Sequence, residues 1–221
     1  ELVEADRLLE VAENRIRAEF SSPDRLVMRG QLAYVKSRVT AMRGDLQRAI
    51  ALCLAAREYV PAGNLALQLD CQITLGYEYF LAGDYANADQ ALNETIHSGI
   101  TTGAIINTVA ASCLLARLYA VQGLLKQSYE MYQTAAQSIP EVGGPHLGVR
   151  GLVEIGMADV LYERNDLDAA LVRIKKGLDL LPFWDKADDW VLAYITLARI
   201  HLAQANTSGA IGAVEKAFRL I

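Results

Sequence analysis

The chain has 221 residues, 52% of them apolar and only 7% aromatic, so small and aliphatic side chains suffice to bury a large core. Lysine plus arginine is 21 against 26 for aspartate plus glutamate, a net charge of −5, and with no basic surplus this segment is not expected to contact nucleic acid. Apolar runs are interrupted within a few residues, which leaves neither a membrane span nor a signal segment, and no contact with a membrane is expected.

The chain opens in an amphipathic helix over residues 1–20, with Leu2, Ala5, Leu8, Leu9, Ala12, Ile16 and Phe20 on one stripe. The run Ser21-Ser22-Pro23-Asp24 breaks it. Ten further helices follow as five pairs: 25–43 with 45–60, 64–82 with 84–98, 103–122 with 124–139, 147–164 with 166–181, and 187–204 with 206–220. The connections between pairs are Pro61-Ala62-Gly63, Ser98 to Thr102, Pro140 to Leu147, and Pro182 to Lys186. No alternating strand pattern competes. Residues 1–20 read as the second half of an earlier pair, so the chain reads as a fragment of a longer polypeptide, one domain spanning 1–221.

Each pair turns on a short break: Arg43-Gly44-Asp45-Leu46, Ala82-Gly83-Asp84-Tyr85, Gln122-Gly123-Leu124-Leu125, Arg164-Asn165-Asp166-Leu167 and Gln204-Ala205-Asn206-Thr207. Glycine, or second best asparagine, can take the left-handed conformation that closes a helix. The Asp or Asn that follows can cap the first free amides of the next helix. Leu124 lacks the capping oxygen and Ala205 lacks glycine's freedom, so these two turns should be the weaker ones. Five residues beyond each Gly position stands a small residue: Ala49, Ala88, Ser128, Ala170 and Ala210, spaced by 39, 40, 42 and 40. A fixed period in this range signals stacked helical hairpins.

Side chains able to carry chemistry do not assemble into a motif. Cys53, Cys71 and Cys113 lack metal-ligand spacing, sit among leucines and are expected to be buried; their odd number and the absence of any sign of secretion point to a reducing, cytoplasmic setting. His97, His146 and His201 fall in different pairs with no partner at ligand spacing, and His201 reads as a helix-packing residue. The run from Gly143 to Gly148 lacks the lysine and the preceding strand of a phosphate loop and reads as a linker. Asp188-Asp189 reads as a helix start. The densest basic cluster, Arg173, Lys175 and Lys176, reads as a solvated face. No enzyme, cofactor or metal site is expected.

Leu75-Gly76, Tyr79, Gly83, Ala88 and Leu92 resemble the tetratricopeptide pattern, repeated by Leu197-Ala198, Ala210, Val214 and Ala217. The period near 40 exceeds the usual 34 of that family. The longer variety, seen from Leu197 to Ile211, resembles the superhelical domain of MalT-type bacterial activators, ATP-dependent regulators with a LuxR-type DNA-binding end. The resemblance implies an all-α, right-handed superhelix of tetratricopeptide-like hairpins. It also implies a domain that senses an inducer or a partner protein on behalf of a nucleotide switch and a helix-turn-helix encoded elsewhere. A general protein-binding scaffold is the alternative.

In such a superhelix the first helix of each pair lines the concave groove. Six residues before each Gly position stand Arg38, Tyr77, Arg117, Asp159 and Arg199; three further on stand Ala41, Phe80, Ala120, Tyr162 and Leu202; four further back stand Tyr34, Ile73, Cys113, Ile155 and Ile195. The candidate groove residues are therefore Tyr34, Arg38, Tyr77, Phe80, Arg117, Asp159, Tyr162 and Arg199. Arginine suits carboxylate or phosphate, and the aromatics offer stacking faces. The expected partner is a protein or peptide, or a small-molecule effector. Against this stands a structural reading in which Arg117, Asp159 and Arg199 pair across neighbouring repeats.

Overall fold

A computed structural model of the chain describes residues 2–19, 22–61, 63–140, 146–183 and 187–220. Among them are eleven α-helices and no strand: α1 (Leu2–Glu19), α2 (Ser22–Met42), α3 (Leu46–Tyr59), α4 (Leu65–Leu81), α5 (Tyr85–Thr102), α6 (Ile105–Val121), α7 (Leu125–Ser138), α8 (His146–Glu163), α9 (Leu167–Leu180), α10 (Ala187–Ala203) and α11 (Thr207–Phe218). All ten paired helices are present. Their ends follow the local chemistry. Gly44, Gly83, Gly123, Asn165 and Ala205 all have positive φ, between 57° and 84°. Asp45, Asp84, Asp166 and Asn206 each accept a hydrogen bond from the amide three residues on, whereas Leu124 offers none. The second helices α3 and α7 stop two residues short of Pro61 and Pro140, and Pro182 lies in a 3₁₀ turn, Leu181–Phe183, that follows α9.

Two boundaries depart from the expectation. The Ser21–Asp24 break is shorter than expected, because α2 already begins at Ser22. A proline is well placed in the first helical turn, where its missing N–H has no partner to lose. Residues 20 and 21 lie outside the described residues. Second, α5 continues through Ser98–Thr102 instead of ending at 98. The hydroxyls of Thr101 and Thr102 donate to the Ser98 carbonyl at 2.9 and 2.7 Å, which satisfies them inside the helix. Gly103, at φ 72°, then closes it. Of the three other expected linkers, residues 62, 141–145 and 184–186 lie outside the described residues.

The helices group into two compact units, Glu1–Asn107 and Thr108–Ile221. In the first, α1 packs on α2, α2 and α3 form a hairpin, α3 packs on α4, and α4 and α5 form the next hairpin. Its core holds Ile50, Cys53, Ala56, Cys71 and Leu75, with Tyr34, Leu67 and Tyr79 against them. The Cys53 thiol donates to the Cys71 carbonyl at 3.1 Å. All three cysteines are buried and free.

In the second unit α7 packs on α8, α8 and α9 form the most extensive hairpin, α9 packs on α10, and α10 and α11 close the chain. Tyr132 of α7 is buried and donates from its hydroxyl to the Cys113 carbonyl at 3.3 Å, tying α7 to α6. Its ring lies over Gly156 of α8: a Cβ added there would come within 2.1 Å of the ring. Only glycine leaves room for that contact. The core of the α8, α9 and α10 packing includes Ile155, Ala158, Ala170, Ile174, Leu181, Ala193 and Ile200.

The basic cluster on α9 faces solvent, as expected, but is more than a solvated face. Arg173 and Lys176 reach across to Glu154 of α8 at 2.8 and 2.5 Å, and the Glu154 side chain is only 6% exposed. A buried carboxylate needs paired charge, and this one pairs with two cations of the cluster whose side chains stay 37% and 51% exposed; Lys175 is exposed as well. His201 also differs from the expectation. It is half-buried at the hairpin turn, with Nδ1 3.3 Å from Asn206 Nδ2, rather than packed in the core.

Candidate functional site

The phase six residues ahead of each left-handed turn lies on α2, α4, α6, α8 and α10. Arg38 is exposed, and Tyr77, Arg117, Asp159 and Arg199 are half-buried. One residue further, about 100° round the helix, Glu78, Leu118, Val160 and Ile200 are buried. The phase therefore marks the border of the core on each first helix.

In the first unit this border is aromatic. The rings of Tyr77 and Phe80 stack at 6.4 Å and 20°, and Phe80 meets Tyr85 across the turn at 6.2 Å. Tyr34 is half-buried against the core, and its hydroxyl accepts from Thr74 Oγ1 at 3.5 Å. Beside this shelf lies a group that the reading of single residues overlooked. Glu78 is 1% exposed, and neither of its carboxylate oxygens finds a hydrogen bond of good geometry. The nearby Ser37 hydroxyl gives its proton to the Tyr34 carbonyl at 2.9 Å. Burial pushes the Glu78 carboxyl up to about 7, tempered by Ser37 and by the charge of Arg38. The signal was present in the register: the same phase holds Val39, Leu118, Val160 and Ile200 in the other repeats.

In the second unit the border is charged. Arg199 Nη1 donates to Asp159 Oδ1 at 2.8 Å, Nη2 binds Glu163, and the guanidinium lies 4.2 Å over the Tyr162 ring. Thr196 Oγ1 is 3.5 Å from Asp159 Oδ1. Burial raises the Asp159 carboxyl above its ordinary range, and Glu163 adds to this; the charges of Arg199 and Arg117 and the Thr196 hydrogen bond pull it back. Arg199 and Asp159 thus pair across neighbouring repeats, and Arg117 acts on Asp159 through its charge. Glu163 was not anticipated, because it falls one residue past the Tyr162 phase, at a position that was not compared. Arg199, held by two carboxylates and a ring, is pre-positioned. Arg38 on the first unit is more open to solvent.

Among the described residues no group of three His, Cys, Asp or Glu side chains is placed to hold a metal ion. His97, His146 and His201 lie on α5, α8 and α10. His146 to Gly148 open α8, and residues 143–145 lie outside the described residues. No helix among the described residues is long and apolar enough to cross a membrane.

The model of one protein family, the MalT-like TPR region, matches residues 30–221. No curated protein matches the sequence. Among solved structures, NprR in complex with its cognate peptide NprX has a TM-score of 0.74 at 11% identity, over 99% of this chain and 62% of NprR. BtubC (BKLC) from P. vanneervenii has a TM-score of 0.67 at 17% identity, over 99% of this chain and 89% of BtubC. The apo form of RapI has a TM-score of 0.64 at 11% identity, over all of this chain and 91% of RapI. At these identities the likeness is one of fold: tetratricopeptide-type helical hairpins. The chain spans less than two thirds of NprR.

Proposed function

Because this chain belongs to the family of MalT-like TPR regions, we propose that it is the effector-sensing segment of a bacterial transcriptional regulator. It binds a peptide, a partner protein or a small effector through side chains on its first helices. Family membership supports a helical binding module, and NprR, of like fold, is described with a cognate peptide. The observation that carries the reading is the border phase itself. Position after position it keeps long polar or aromatic side chains at the edge of the core: Arg38, Tyr77, Arg117, Asp159 and Arg199. In the second unit Arg199 and Asp159 serve each other, whereas in the first unit the exposed Arg38 and the Tyr77–Phe80 shelf support a binding role. Arg38 suits a carboxylate, and the Tyr77–Phe80 shelf of the same unit suits an apolar or aromatic side chain. An acidic peptide with one aromatic residue combines both.

A random heptapeptide library displayed on phage and panned against the chain tests this. Enriched peptides should be acidic and aromatic. A charge-assisted contact contributes about 1.5–3 kcal/mol, so Arg38→Ala should weaken the selected peptide roughly tenfold or more, with the helical fold retained. No enrichment, or affinity indifferent to Arg38 and Tyr77 together, overturns the assignment. The transcriptional part is read from the full reading frame. A phosphate loop upstream and a helix-turn-helix downstream support it, and a frame with neither makes the chain a general binding scaffold.

A further inference from the structure

Between α3 and α4 of the first unit lies a cleft of about 420 Å³, lined by Leu54, Arg57 and Glu58 of α3 and by Gln68 and Gln72 of α4. The two glutamines stand one turn apart, and the amide nitrogen of each is already committed. Gln72 Nε2 donates to Glu94 Oε2 of α5 at 2.7 Å. Gln68 Nε2 donates to the Val60 and Pro61 carbonyls at 3.4 and 3.3 Å. A carboxylate and main-chain carbonyls only accept, so each carboxamide must turn its nitrogen to them. Both carboxamide oxygens are then left without a donor among the described residues. Gln72 is only 9% exposed, and donation to a carboxylate polarises its amide and makes the oxygen a stronger acceptor. Glu94 itself is held by two amides, Gln72 and Gln90, and by no cation among the described residues.

Arg57 and Glu58 are the charged groups of the wall. Adjacent residues on a helix point about 100° apart, so they do not neutralise each other. Neither head group forms an ion pair or a hydrogen bond with another described residue. Asp70, also on this half of α4, is engaged by Asn107 at 3.0 Å. Residue 62, outside the described residues, is an alanine and adds no charge. The cleft therefore has two separate poles, a planar fork of donors on Arg57 and a set of three acceptors on Glu58, Gln68 and Gln72. Leu54, 40% exposed, stands one turn before both charges and supplies an apolar wall between them. An ammonium carries three donors and a guanidinium suits a carboxylate, and the volume is within the usual range of small-molecule sites. We propose that this cleft binds a small zwitterion, an amino acid or a short peptide with free ends. Its carboxylate meets Arg57, its ammonium meets Glu58 and the two glutamine oxygens, and an aliphatic side chain lies on Leu54. The site is separate from the one assigned above: Gln68 and Gln72 lie on the N-terminal half of α4, Tyr77 and Phe80 on its C-terminal half.

Leucine and leucyl-glycine, titrated into the full chain by calorimetry and by amide chemical shifts, decide the matter. They share the chemistry and differ in the spacing of the two charges. At least one should bind, with shifts concentrated in residues 54–60, 66–72 and 90–94, and the tighter one gives the spacing of the poles. Capping either end of that ligand, the carboxylate as an amide or the ammonium as an acetamide, should weaken it about tenfold or abolish binding. Glycine or diglycine, without the aliphatic side chain, should also bind more weakly. Arg57→Gln and Glu58→Gln should each weaken the tighter ligand about tenfold, and Lys175→Gln, on α9, should leave its affinity unchanged. No binding of either zwitterion, capped ligands that bind as well as the free one, shifts scattered outside the cleft, or full affinity in both variants would overturn the proposal. Should either variant lose its helical spectrum, the capped ligands and the shift map of the unaltered chain decide alone.

Discussion

Replacing Glu78 by glutamine should make the protein more stable in base and leave it nearly unchanged in acid. The carboxyl titrates at about 7 in the fold against an ordinary value of 4.5. The unfolded chain releases this proton first, so between these two values the native state binds more protons than the unfolded state. Stability must then fall as pH rises through that window, and the loss is complete only above the folded value. A displacement of about 2.5 pH units corresponds to about 3 kcal/mol. Ser37 and Arg38 are the polar neighbours that moderate it, while the Cys53 and Cys71 thiols offer no compensating charge. Urea titrations of both proteins at about pH 5 and about pH 8 give two differences in unfolding free energy. The second should exceed the first by about 3 kcal/mol in favour of Glu78→Gln. A difference that does not change with pH would show that the carboxyl is solvated in the native state, and the argument from burial would fail.

Glu154→Ala should cost about 2–4 kcal/mol, because it strips two cations of their partner, whereas Arg173→Ala should cost less, since Lys176 stays in place; thermal melts of the two variants check the order. Gly156→Ala drives a methyl to within 2.1 Å of the buried Tyr132 ring and should cost about 3 kcal/mol or more, a loss that Tyr132→Leu in the same chain should partly restore. Ala205→Gly should stabilise by about 1 kcal/mol, since alanine stands at φ 57°, and Leu124→Asp by a similar amount through the missing cap; in the unaltered chain, amides 125–128 should exchange faster than amides 85–88. A double-mutant cycle on Asp159 and Arg199, a pair still partly open to solvent, should give a coupling of about 1 kcal/mol, and strict additivity would refute their pairing.

The hairpin ends were legible because each is decided by two adjacent residues, one able to enter the left-handed region and one able to cap. Gly83-Asp84 states both in the sequence. The α5 end was misread because Thr101 and Thr102 favour a helix only when their hydroxyls find the Ser98 carbonyl, which requires the helix to exist already. Asp159 and Arg199 stand 40 residues apart, one period, so their meeting follows from the repeat. The pull of Glu154 on Arg173 and Lys176 does not, because it depends on the rotation of α9 against α8. Glu78 lay between these cases. Its residue type conflicts with the apolar residues that share its phase, yet only the fold shows that no donor comes to meet it.

The seat of Glu154 between Arg173 and Lys176 also says how the α8–α9 hairpin can yield under load. A slip of α9 along α8 by one turn, about 5.4 Å, carries both cations past the carboxylate and strands it among apolar neighbours. A rotation about the Asn165–Asp166 turn keeps the three groups together until the helices part. The trio is a pin against shear, and deformation that reaches this hairpin must hinge it open rather than slide it.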